Sequence, residues 1–197
     1  IHASIPHQGV NPHFVMAKFI EKLQTLEMPT NKLFGVSSVA PTLYLSDQNS
    51  ANVTPGEIKL TLDWRNIPSE TPDVILQKVD ALLQSCLIEG SQGQVVLADQ
   101  TVTTYTGVTS IGSEVFPSFA TEKTSPLLST AQAPLKQALN REVPVDIWRF
   151  ATDGGHLAAA GIPVIGFGPG DETLAHTNQE RMPITALAEA LTAYASF

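Results

Sequence analysis

The chain has 197 residues, 19 acidic against 11 basic, and a formal charge of −8. Apolar residues make up 43% and charged residues 15%, the balance of a globular chain that buries a core, so disorder along the whole length is excluded. No Lys/Arg-rich run is present to neutralise phosphates, which argues against nucleic-acid and anionic-membrane partners, and no apolar run reaches the roughly 18 residues needed to span a bilayer.

The opening Ile-His-Ala-Ser has no Met and no leader, and Ile1 reads as the interior of an element, so the natural amino terminus is expected to lie upstream. Asn11 as cap, Pro12 at the first helical position, and Met16, Phe19, Ile20 and Leu23 at helical spacing predict an amphipathic helix from Asn11 to about Glu27. Leu33 to Leu45 reads as strand, followed by the turn-prone SDQNSANVTPG. The clearest strand has Ile58, Leu60, Leu62 and Trp64 alternating with Lys59, Thr61, Asp63 and Arg65. A second helix is expected to start at Thr71-Pro72 and to bury Ile75, Val79, Leu82 and Leu83, and Gln94 to Thr104 reads as strand again. With a first strand supplied, that order is the split βαβ sandwich, two helices on one face of an antiparallel sheet.

From about Gly107 to Thr124 the chain turns irregular, and a boundary is expected there, dividing residues 1–107 from 108–197. Beyond it a helix opens at Ser125-Pro126, with Pro134 expected to kink or interrupt it. Apolar strands at Val143–Trp148 and Pro163–Phe167 flank a small-residue helix at about Gly154–Ala160, and a last helix runs from about Ile184 to Tyr194. Strand, helix, strand, helix predicts part of a parallel sheet with further strands elsewhere in the gene. The fold class expected is therefore α/β with an α+β first domain.

The lone Cys86 rules out an internal disulfide framework and a Cys-based zinc ribbon. Of the five histidines, His13 is expected to be solvated, His7 to serve its loop locally, and His156 to take part in backbone hydrogen bonding at a helix start. His176 is the functional candidate among them. It follows GFGPGDETLAH, a Gly/Pro loop leaving the carboxyl end of an expected strand, where open α/β sheets place ligands. GFGPG fails as a dinucleotide loop, since its glycines are misplaced and Pro169 removes an amide donor. H-E-x-x-H, G-x-S-x-G, G-K-[ST] and C-x-x-C are absent. Asp63 and Arg65 share the polar strand face, either as a surface ion pair worth under about 1 kcal/mol or as an Arg fork for a substrate carboxylate.

Taken together and in order, HASIPHQGVN, SANVTPGEIKLTLDWRNIP, ATDGG and GIPVIGFGPGDETLAHTNQE resemble the co-catalytic zinc aminoacylases and carboxypeptidases, among them acetylornithine deacetylase, succinyl-diaminopimelate desuccinylase and carboxypeptidase G. The resemblance runs along nearly the whole chain. It implies a ferredoxin-like lid and dimerisation domain in residues 1–107, its first strand truncated, followed in 108–197 by the carboxyl-terminal portion of a zinc-hydrolase α/β catalytic domain. By that resemblance His2 stabilises the oxyanion in the partner subunit's active site, Asn52 contributes to substrate binding, and Arg65 receives a substrate carboxylate. Thr152 and Asp153 belong to a substrate-lining loop, Gly168 and Gly170 to the GFGPG substrate loop, and His176 is a zinc ligand with Glu180 as its structural support.

The cofactor implied is a pair of zinc ions, with cobalt as an alternative, and the activity is hydrolysis of an amide bond in an N-acyl amino acid or small peptide by metal-activated water. A homodimer through the lid and a cytoplasmic location are further expectations. The family's H-x-D motif, bridging Asp and Glu-Glu pair are not in this sequence, and one His cannot supply the about three protein ligands a catalytic zinc requires, so the 197 residues alone are expected to be inactive. The rival reading is a non-catalytic dimerisation or interaction module.

Overall fold

A computed structural model describes every residue from Ile1 to Phe197. The chain divides into two compact units, Ile1–Val115 and Phe116–Phe197.

In the first unit, helix α1 spans Pro12–Leu23, with the Asn11 side chain accepting from the His13 N–H. Helix α2 spans Pro72–Gln84, with the Thr71 side chain accepting from the Val74 N–H. Both open as the sequence predicts, a polar cap before a proline whose missing N–H would have had no helical partner. A small hairpin, β1 (Thr30–Asn31) with β2 (Gly35–Val36), leads into the antiparallel pair of β3 (Ser38–Ser46) and β4 (Ile58–Arg65).

The register sets Trp64 against Val39, Leu62 against Pro41 and Leu60 against Tyr44, with a bulge between Pro41 and Leu43. One extra residue reverses the alternation of β3. Tyr44 thus takes the face of Val39, while Leu43 and Leu45 fall on the other. Val15, Phe19 and Leu23 from α1, with Val79, Leu83 and Cys86 from α2 and its end, form the core, against which Val39, Leu60, Leu62 and Trp64 pack. Two helices on one face of an antiparallel pair is the layer arrangement expected from the sequence.

The segment 94–104 departs from expectation. Only Asp99–Thr103 is strand (β5), and it pairs with Thr109–Ser113 (β6) rather than with β3 or β4. Thr104 N–H donates to Val108 O and Gly107 N–H to Thr104 O, each over 2.9 Å, and Gly107 takes φ +85°, a conformation glycine adopts freely. Closing this hairpin needs only a short loop, so the local partner wins over a distant one. Gly107, placed at the domain boundary from sequence, is the hairpin's turn, and the first unit continues to Val115.

The second unit is helical: α3 (Pro126–Leu139), α4 (Gly154–Ala159) and α5 (Ile184–Tyr194). Of the kink or interruption expected of an internal proline, the interruption does not occur: helix α3 continues through Pro134. Ala131 and Leu135, on either side of it, are both buried, and α3 packs against α5, whose buried Ala190 and Ala193 allow close approach. An open apolar cavity of about 460 Å³ lies along this pair, lined by Leu127, Pro134, Ile165, Phe167, Tyr194 and Phe197 among others.

The segments 143–148 and 163–167, expected as strands, are not strands and join no sheet. Side chains take their carbonyls instead. Gln132 Nε2 donates to Val143 O over 3.0 Å, Thr121 Oγ1 donates to Val164 O, and Tyr194 Oη donates to Phe167 O over 2.8 Å. A ladder needs an adjacent backbone, and this unit holds no strand to offer one.

Candidate functional site

The amino-terminal residues are tied to the loop before β4. His2 and Val53 form an antiparallel bridge, Ala3 N–H donates to Asn52 O over 2.9 Å and Thr54 N–H to Ile1 O over 2.8 Å. This short ladder sets two candidates picked from separate motifs side by side, with His2 Nε2 3.5 Å from Asn52 Nδ2. Ser4 and Ser50 complete the cluster: Ser4 Oγ lies 2.7 Å from His2 Nδ1, and Ser50 Oγ donates to Asn52 Oδ1 over 2.7 Å. All four side chains are solvent-exposed, as groups that meet a soluble ligand must be.

Arg65, at the end of β4, is engaged by Asp63. Nε lies 2.7 Å from Oδ1 and Nη2 donates to Oδ2 over 2.8 Å, a two-point contact on one edge of the guanidinium. Both side chains are half-exposed, 50% and 40%, so the pair adds little to stability. Its chemical effect is orientation: with the Nε edge held by Asp63, the Nη1–Nη2 edge remains as a second fork for a carboxylate.

In the second unit, Thr152 and Asp153 precede α4, where Gly154 N–H donates to Thr152 Oγ1 over 3.2 Å. Their motif ATDGG has a packing reason as well. A Cβ on Gly155 would fall 1.9 Å from Pro117 O, so only glycine lets that backbone approach. A Cβ on Gly168 would meet Tyr194 Oη at 3.9 Å, an ordinary contact, while Gly170 adopts φ +111° with Met182 Cε 2.8 Å from where a Cβ would stand. Asp171 accepts from the Thr173 Oγ1–H over 2.6 Å and from its N–H over 3.0 Å, and these bonds hold its carboxyl below the ordinary aspartate value.

His176 is exposed and takes the left-handed φ of +62°, a region uncommon for a residue with a Cβ. Its N–H donates to Glu180 Oε2 over 3.0 Å, so Glu180 steadies the backbone of the AHTNQE turn. No group of three or more His, Cys, Asp or Glu side chains anywhere in the chain is placed to hold a metal ion. The side chains of this chain therefore do not fit a zinc centre by themselves, and His176 stands as a single donor.

The other histidines depart in part from expectation. His13 is not simply solvated: its Nδ1 lies 2.8 Å from Tyr44 Oη, and the two rings stack at 6.0 Å. Partial burial raises the Tyr44 phenol above its ordinary value. His156 lies in α4 with its N–H on Asp153 O and its ring edge-on to Phe116 at 5.9 Å. Ser4 and Ser50 were not singled out from sequence; the two-residue spacing of His2 to Ser4 and of Ser50 to Asn52 was the available signal.

Residues 1–90 match the peptidase dimerisation domain, M20_dimer. The N-formyl-4-amino-5-aminomethyl-2-methylpyrimidine deformylase of Bacillus subtilis (strain 168) is 28% identical over 200 residues, covering 96% of this chain and 46% of that protein. Acetylornithine deacetylase of Myxococcus xanthus is 21% identical over 192 residues, covering 94% of this chain and 46% of that protein. The solved structure of aminopeptidase PepT from Bacillus cereus ATCC 10987 superimposes with a TM-score of 0.63 at 17% identity, over 100% of this chain and 47% of that one; at that identity the likeness is one of fold.

The resemblance carried by the four sequence motifs is thus borne out: residues 1–90 match the peptidase dimerisation domain, and the chain is similar along most of its length to deacylases. The α/β fold class holds with it. The chain spans about half the length of the curated relatives it matches.

Proposed function

We propose that these residues serve a metal-dependent amidohydrolase that removes the acyl group from an N-acyl amino acid or cleaves a small peptide. The unit Ile1–Val115 acts as lid and dimerisation domain, and Phe116–Phe197 belongs to the catalytic domain. In this reading His2 donates a hydrogen bond to the oxyanion that develops on the attacked carbonyl, a donor placed where charge appears. Asn52 sits against the same part of the substrate, and Arg65 receives a substrate carboxylate on the guanidinium edge that Asp63 leaves open. Thr152, Asp153, Gly168 and Gly170 line the substrate, and His176 contributes one ligand to a zinc site completed from outside this chain. The remaining ligands of that site are not brought together by this chain. A cytoplasmic homodimer is part of the same proposal.

The observation that carries it is the meeting of His2 and Asn52 across the 1–3/52–54 ladder, since two residues chosen from motifs 50 positions apart share one cluster. The test is hydrolysis of N-acyl amino acids and dipeptides by the protein encoded by the whole gene. His2→Ala is expected to lower kcat by about a hundredfold or more, and Arg65→Ala to act mainly on KM for substrates bearing a carboxylate. Full activity in His2→Ala sinks the reading. The rival, a dimerisation module without chemistry, draws on the lack of any assembled metal-ligand group; it predicts dimers by sedimentation, no hydrolysis and no bound zinc from the whole gene product.

A further inference from the structure

The cluster around His2 determines the state of its ring, and a backbone group decides the matter. The His2 carbonyl accepts from the Ile5 N–H over 3.1 Å, closing a four-residue turn that aims the Ser4 N–H at His2 Nδ1, 3.1 Å away. Ser4 Oγ lies 2.7 Å from the same nitrogen. On the far side of the ring, Asn52 Nδ2 stands 3.5 Å from Nε2, and Ser50 Oγ bonds to Asn52 Oδ1 over 2.7 Å.

Most of these groups are ambivalent. A hydroxyl donates or accepts, a neutral imidazole carries its proton on either nitrogen, and the two ends of a side-chain amide exchange by a half-turn. A backbone N–H only donates. Nδ1 must therefore offer its lone pair to Ser4, which leaves the proton of the neutral ring on Nε2. That Nε2–H cannot face an amide NH2, so Asn52 satisfies the cluster with Oδ1 toward His2 and Nδ2 toward the Ser50 hydroxyl.

We infer that Ser4 is a positioning residue that keeps His2 as the Nε2–H tautomer, with the Asn52 carbonyl holding that proton until an incoming oxyanion takes its place. The inference rests on the proposed role of His2 as an oxyanion donor and adds what makes the ring a donor. The competing arrangement puts the proton on Nδ1, facing Ser4 Oγ, and has Nε2 accept from Asn52. A ring in that state has nothing to give an oxyanion.

The test is made on the 15N-labelled 197-residue chain in mildly alkaline buffer, where imidazoles are neutral. Two-bond proton–nitrogen correlations report the tautomer, and a scalar coupling between the Ser4 amide nitrogen and His2 Nδ1 reports the hydrogen bond directly. An unprotonated Nδ1, a protonated Nε2 and a measurable coupling are expected, all three retained in Ser4→Ala because the backbone donor survives. Ser4→Pro, which lacks that donor, is expected to return the ring to a mixture of tautomers; where this variant does not fold, the coupling in the native chain decides. A protonated Nδ1 in the native chain that moves to Nε2 in Ser4→Ala overturns the inference, as does a bias unchanged in folded Ser4→Pro. Neither zinc nor substrate enters the measurement, so the tautomer can fail while the hydrolase reading stands, and the reverse.

Discussion

Single residues in this chain act mostly through the polar groups beside them. Asp171 illustrates the electrostatic side, since the hydroxyl and amide of Thr173 favour its ionised form and lower its pKa. A group whose folded value is depressed contributes stability above its unfolded value and loses it as pH falls through the folded one. The turn at Glu172–Leu174 is therefore expected to hold at neutral pH and to loosen on acidification below the ordinary aspartate range. Amide exchange at Thr173 followed against pH checks this, and Asp171→Asn should flatten the acid dependence. His2 and Arg65 follow the same rule of neighbours. Each was legible in the sequence as a candidate, but the serines that bracket the His2–Asn52 pair and the edge-on hold of Asp63 on Arg65 are facts of approach in space. His176 was legible as a residue in a constrained Gly/Pro loop; its left-handed backbone and its bond to Glu180 were not.

At the scale of elements, the helices were read well because their signals are local. Caps, first-turn prolines and a 3.6-residue apolar period all lie within the segment that folds. Phe19, 4% exposed, is the centre of the α1 face, and Phe19→Ala should cost about 3–5 kcal/mol by denaturant unfolding, the range for a large buried side chain replaced by alanine. Pro134 is the opposite case. The sequence argues for a kink or an interruption, and the helix continues, with Ala131 and Leu135 buried on either side. An internal proline costs about 3 kcal/mol of helix stability relative to alanine, so Pro134→Ala is expected to raise the thermal midpoint, with part of the gain lost because Pro134 also lines the apolar cavity. A fall in the midpoint would mean that the ring's packing outweighs its strain. The strands are less legible: β4 has a clean alternation and matches its sequence reading to the residue, whereas only Asp99–Thr103 of the stretch 94–104 finds a partner, in β6, and the segments 143–148 and 163–167 find none.

At the scale of the molecule, the two units Ile1–Val115 and Phe116–Phe197 hold different parts of the expected chemistry, and neither holds a metal site. Zinc added to the 197-residue chain is accordingly expected to bind weakly, far short of a stoichiometric complex, because a lone imidazole lacks the further ligands that close a zinc site. Calorimetric titration checks this, and His176→Ala should change the isotherm little. Tight binding of one ion per chain would require ligands that the folded chain does not bring together.

What the amino-acid order settled by itself was the capped helices, the alternation of β4, and the four motifs whose order carries the resemblance to the zinc aminoacylases and carboxypeptidases. Only the tertiary structure decided which strands find partners, that Gly107 turns a hairpin instead of ending a domain, and that Ser4, His2, Asn52 and Ser50 form one cluster. The reason is physical. A cap or a turn is closed by bonds to near neighbours, whereas a strand ladder or a hydrogen-bonded site exists only when distant backbone arrives to complete it, and one sequence segment carries no record of that arrival.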